Sequence, residues 1–137
     1  MPGYTRLVNK EIEFDGEVIK YSFRRLKRAE FLELSVFFET VNGETKLVEG
    51  KGNEYIETMS NLLPDLIESF SGLTIDGEEF RYQGSSEELE TLTGLIDELY
   101  FQELFQSILL EITLESQGPG GKTEKKLDST PSESSAD

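Results

Sequence analysis

The chain has 137 residues with 28 acidic and 13 basic side chains, a net charge of −15, and no Cys, His or Trp. That length supports one domain with a modest core. The composition excludes disulfides, Cys/His zinc sites and Cys–His or Ser–His–Asp catalysis, and it argues against nucleic acid as a direct partner, since phosphates need Lys and Arg.

Thr5 to Asp15 reads as a first strand, with Leu7, Ile12 and Phe14 as its β-formers. Asp15-Gly16 is a two-residue hairpin signal, because a type I′ turn needs positive φ at both positions. Val18 to Phe23 returns as an alternating strand, so a hairpin is expected over residues 5–25. No long apolar run follows Met1-Pro2-Gly3-Tyr4, so no signal peptide is expected. No stretch approaches the roughly 20 apolar residues of a membrane span. The simplest reading is a soluble protein of the cytoplasm.

Arg24, Arg25, Lys27 and Arg28 come next, and seven of the 13 basic residues fall within the first 28 positions. This cluster is a candidate docking patch for an acidic partner. It reads equally as a solvated helix start or as an intramolecular match for the acidic final helix. It does not favour the helix it precedes, because cations oppose the dipole at an N-terminus.

A first helix is predicted over 28–41, with Phe31, Leu34, Phe38 and Val41 on one face and Asn42-Gly43 as its left-handed cap. A polar loop leads to a second helix over 53–71. Its stripe is Tyr55, Met59, Leu62, Leu63, Leu66, Ile67 and Phe70. Pro64 removes a donor inside it, so a kink or two abutting helices is expected there. Leu73 to Tyr82 carries Asp76-Gly77 and predicts a second short hairpin, one that can pair with the first. Glu13-Phe14-Asp15-Gly16-Glu17 and Thr74-Ile75-Asp76-Gly77-Glu78 look like a weak internal duplication.

The longest helical pattern is 85–115, and it holds no Lys or Arg. Ser85 and Ser86 can cap it, and Glu87 and Glu88 suit the positive end of its dipole. Its apolar residues change faces near Leu99–Phe101. Leu89, Leu92, Ile96, Leu99 and Leu110 share one side; Phe101, Leu104, Phe105, Ile108 and Ile112 share the other. Either the helix breaks there or it packs on two different things, the second of which can be another protein molecule. From Gln117 the chain turns polar and Gly-rich, which predicts a disordered tail over 117–137. The expected fold is therefore α+β, mainly α, in a single domain over 1–116. It has an N-terminal β-hairpin, three main helices and a second short hairpin before the last long helix.

Two tempting sites fail. Gly120-Gly121-Lys122-Thr123 looks like the end of a phosphate-binding loop, but the pattern needs Gly at position 116, where Ser116 stands, and it follows a helix instead of a strand. Asp76-Gly77-Glu78-Glu79 lacks the spacing of a calcium loop. No catalytic constellation, metal site or cofactor site is expected, and the chain reads as a non-enzyme.

The order of features resembles the tail assembly chaperones of long-tailed, siphophage-type bacteriophages. The likeness is carried by the hairpin Ile12–Glu17 to Tyr21–Leu26 running into Arg28-Ala29-Glu30-Phe31-Leu32-Glu33-Leu34. Gly72-Leu73-Thr74-Ile75-Asp76-Gly77, the aromatic Leu99-Tyr100-Phe101-Gln102-Glu103-Leu104-Phe105 and a polar tail complete it. No single motif is diagnostic. The resemblance implies a non-virion, mostly helical protein in the bacterial host's cytoplasm. It would bind the tape measure protein, and often the tail tube protein, before the tube polymerises. It also implies self-association and, in many phages, a −1 ribosomal slip, for which Gly121-Lys122 and Lys125-Lys126 are the places to look. On this reading Phe101, Phe105, Ile108 and Ile112, or else the opposite side with Leu99 and Leu110, contact client or a sister subunit. The alternative is an acidic DNA-mimic inhibitor of a DNA-binding protein.

Overall fold

In the computed structural model the described residues are Tyr4–Gln117; the expected tail and its lysine pairs lie, from residue 118 on, outside them. Of the described residues 46% are helical and 33% are in strands, so the fold is a balanced α+β. This corrects the expectation of a mainly α chain with an N-terminal hairpin and a second short one. The elements run β1 (Leu7–Phe14), β2 (Glu17–Arg24), α1 (Arg28–Ser35), β3 (Phe38–Val41), β4 (Glu44–Leu47), α2 (Gly52–Leu66), β5 (Ile67–Ile75), β6 (Glu78–Tyr82), α3 (Ser86–Ile96), a 3-10 turn (Leu99–Phe101) and α4 (Gln102–Ser116).

Four strands form one antiparallel sheet in the order β1-β2-β5-β6, so the second hairpin pairs with the first through β2 and β5. One face is apolar: Ile19, Tyr21, Phe23, Phe70, Leu73 and Tyr82 are buried there. α4 crosses that face. Phe105 stacks on Phe70 with ring centroids 5.8 Å apart, and Lys10 of β1 reaches Glu115 and Glu111 of α4 at 2.6 and 3.2 Å. Met59, Leu63 and Leu66 of α2 and Leu92 of α3 complete the core. The opposite face is polar, with Ser22 and Ser69 hydroxyls hydrogen-bonded at 2.6 Å.

The helix expected over 28–41 ends at Ser35. Its end, Phe38–Val41, is instead β3, the first strand of a hairpin that Asn42 (φ 54°) and Gly43 (φ 84°) turn into β4. The positive φ was legible, but Asn-Gly serves a hairpin as well as a helix cap, and Phe38-Glu39-Thr40-Val41 alternates across a strand. Asp15-Gly16 and Asp76-Gly77 adopt the same left-handed pair. Each of the three turns is followed by Glu.

The helix expected over 53–71 stops at Leu66. Pro64 sits in its last turn, and Ile67 is already extended (φ −76°, ψ 124°). Ile67, Phe70 and Leu73, three apart, mimic helical periodicity. The mimicry has a cause: β5 carries two register shifts, one opposite Ser22/Phe23 and one between Ser71 and Leu73. Each extra residue resets the alternation, so all three apolar side chains face the core. Gly72 makes the second shift, at φ +103°, where an added Cβ would sit 2.4 Å from the Val18 carbonyl oxygen.

The helix expected over 85–115 is two helices. α3 opens on a cap at Ser85, one of the two serines expected to cap it, and the cap is a full capping box: the Ser85 hydroxyl accepts from Glu88 N–H at 3.2 Å and Glu88 accepts from the Ser85 N–H. α3 ends at Ile96 and α4 restarts at Gln102, so the break falls where the apolar pattern changes faces.

Candidate partner-binding groove

The six candidate residues on the last helices separate by burial. Phe105, Ile108 and Ile112 are fully buried and Phe101 nearly so, all in the core against the sheet. Leu99 and Leu110 face solvent, 83% and 57% exposed. α4 thus spends its wide aromatic stripe on the sheet and leaves the other side open.

Leu99 and Leu110 lie in different surroundings. The 3-10 turn is pinned to the first hairpin: Tyr100 donates to the Asp15 carboxylate at 2.8 Å, and its ring meets Phe14 edge-on at 5.7 Å. The hydrogen bond to Asp15, and then the Asp15 charge, raise the Tyr100 pKa. Leu110, by contrast, lines a groove of about 420 Å³ together with Phe38 of β3, Leu47 of β4 and Tyr55 and Ile56 of α2. Gln102, Glu103, Gln106 and Ser107 of α4 form its polar side.

The groove follows from how the hairpin β3–β4 is anchored. Phe37 and Phe38 place their rings edge-on to Tyr55, at 5.8 and 5.3 Å. The Val48 N–H donates to the Phe37 carbonyl at 2.8 Å, and Lys51 N–H to Val48. The hairpin therefore stands over the start of α2, not on the sheet. Its apolar residues Phe38, Val41 and Leu47 stay more than a third exposed. Burial raises the Tyr55 pKa. The two helices that wall the groove carry Glu54, Glu57, Asp65, Glu103, Glu111 and Glu115 and neither Lys nor Arg. Lys51, just before α2, is paired with Glu54 at 3.2 Å.

No family model, curated protein or solved structure matches the chain. The groove is read from its own geometry.

The basic cluster is partly spent inside the molecule. Arg24 donates to both carboxylate oxygens of Glu30 at 3.0 and 2.8 Å, and this pairing holds the Glu30 pKa below its usual value. Arg25 donates to the Glu115 carbonyl at 3.2 Å and to the Thr5 carbonyl, and lies 4.8 Å over the Tyr4 ring. Lys27 and Arg28 remain exposed at the start of α1, beside Ser116 and Gln117. So Arg25 does meet the acidic final helix, through the Glu115 backbone carbonyl, while the carboxylates of Glu111 and Glu115 pair with Lys10. Among the described residues no helix is long and apolar enough to cross a membrane, and no group of acidic side chains could hold a metal ion.

Sequence reasoning singled out Leu110 but missed Phe38, Leu47, Tyr55 and Ile56 as groove residues. Phe38 and Tyr55 were assigned to helix stripes. Only an Asn-Gly read as a hairpin would have freed Phe38 and Leu47 to meet Leu110.

Proposed function

We propose that the chain is a client-binding chaperone whose groove between β3–β4, α2 and α4 takes up an apolar segment of a partner protein. The observation that carries this is the groove itself. Five apolar side chains from four elements converge on one open surface in a protein of net charge −15. An exposed apolar concavity rimmed by polar groups is the usual mark of a protein interaction site. The acidic surface keeps a loaded complex soluble. The resemblance to phage tail assembly chaperones names the client: the tape measure protein, with the tail tube protein as a second partner. The DNA-mimic alternative draws less support, because Lys10, Arg24, Lys51 and Arg81 are paired with carboxylates and break up the acidic surface.

The test is co-expression with a tape measure protein, reading how much of it stays in the supernatant. The native chain should hold it in solution, and Leu110→Asp should send it to the pellet while the chaperone's own melting curve is unchanged. A client that pellets equally with and without the native chain would remove the proposal. A complex that instead forms with a DNA-binding protein and is displaced by duplex DNA would favour mimicry.

A further inference from the structure

The groove's chemistry narrows the kind of segment that fits it. Its lining is apolar on the hairpin and α2 side and carries Gln102, Glu103, Gln106 and Ser107 on the α4 side. Glu103 is the one charged residue among those lining it. Of the neighbouring bases, Lys51 is paired with Glu54, and Lys46 stands opposite Glu39 in the β3–β4 register. On α2 and α4 the carboxylates Glu54, Glu111 and Glu115 are taken up by Lys51 and Lys10, which leaves Glu57, Asp65 and Glu103 with no ion pair among the described residues. The surroundings therefore attract positive charge, while the floor accepts apolar side chains. The hairpin β3–β4 reaches the groove through the side chains of Phe38 and Leu47, and the rest of the lining is side-chain surface along α2 and α4, which suits helix-in-groove recognition.

We infer that the groove receives a cationic amphipathic helix, its apolar face seated on Phe38, Leu47, Tyr55, Ile56 and Leu110 and its flanking Lys or Arg held by Glu103. This rests on the client-binding reading and names the part of the client that docks. Repulsion by the acidic walls disfavours acidic helices with the same apolar stripe, so charge sets which segment is chosen.

Three labelled peptides of about 18 residues, long enough to become helical, test this against the full chain by fluorescence anisotropy. One has Leu at i, i+3, i+4 and i+7 with Lys and Gln elsewhere. The second has Glu in place of Lys. The third has the first one's composition with the apolar period scrambled. At about 0.15 M salt the first should bind at least about tenfold more tightly than the other two. Leu110→Asp should abolish that binding. Glu103→Lys, a change on an exposed position, should weaken the cationic peptide about fivefold and strengthen the acidic one. It carries the test even if Leu110→Asp fails to fold.

Equal binding of the scrambled cationic peptide would overturn the inference in favour of plain charge attraction. So would binding that neither substitution changes. If the groove-dependent solubilisation of the tape measure protein holds while no helical peptide binds, the cationic helix is overturned and the client-binding reading stands. If both fail, both readings fall.

Discussion

The hairpins β1–β2 and β3–β4 share a turn chemistry and almost nothing else. Both turn on a left-handed pair followed by Glu, Asp15-Gly16-Glu17 and Asn42-Gly43-Glu44. The first has eight-residue strands that bury Ile19, Tyr21 and Phe23 against α4 and the core. The second has four-residue strands with every residue exposed. A lone two-stranded hairpin is marginal in water. β3–β4 therefore persists through the rings of Phe37 and Phe38 on Tyr55 and the Val48 backbone bond. A turn signal decides that a hairpin forms; what its strands can bury decides whether it becomes framework or a movable wall. The groove is built from the second kind, and binding surfaces are commonly drawn from the less stable parts of a fold.

The largest effect that would sharpen this contrast is at Gly72, where the framework closes. Gly72→Ala places a Cβ against the Val18 carbonyl at a φ that side chains rarely adopt. It should cost about 3 kcal/mol, seen as a lower denaturant midpoint for the whole domain, and an unchanged midpoint would mean β2 and β5 are not rigidly joined. Next come the two turns. Gly16→Ala and Gly43→Ala meet open space at nearly equal φ, so each carries a similar strain of about 1–2 kcal/mol. Gly16→Ala should lower global stability, while Gly43→Ala should speed amide exchange only over residues 38–47. Identical global losses would break the comparison.

The smallest effect is in alkaline titration. Burial, then the charges of Glu111 and Glu115, push the Tyr21 pKa from 10.0 up to about 12. A folded-state pKa above the unfolded one stabilises the fold below pH 10.0, and that contribution is lost as pH rises towards about 12. Ultraviolet titration should show Tyr21 ionising last. Tyr55 under the second hairpin, also raised by burial, should ionise earlier in Gly43→Ala, and Tyr21 should not.

The sequence showed the turns at 15–16 and 76–77 and the change of face near Leu99–Phe101, because each rests on local chemistry. It misread Asn42-Gly43, since one dipeptide serves two structures. It misread Ile67, Phe70 and Leu73, since two bulges convert a period of two into a period of three. The groove was legible only at Leu110, which could be seen to lie off the main stripe. Its other walls come from elements that tertiary packing alone brings together.

Arg25 gives the fold a temporal character. Its guanidinium is bonded to the carbonyls of both Thr5 and Glu115, and the next residue, Leu26, donates its N–H to the Ser116 hydroxyl, 90 positions along the chain. A ribosome making this protein delivers the first hairpin early and the residues that fasten it last. Until α4 has emerged, Phe70, Ile19 and Phe23 have no Phe105 or Ile108 to cover them. The nascent domain therefore stays unsealed, its own apolar sheet face open, until nearly all of the described residues have been synthesised.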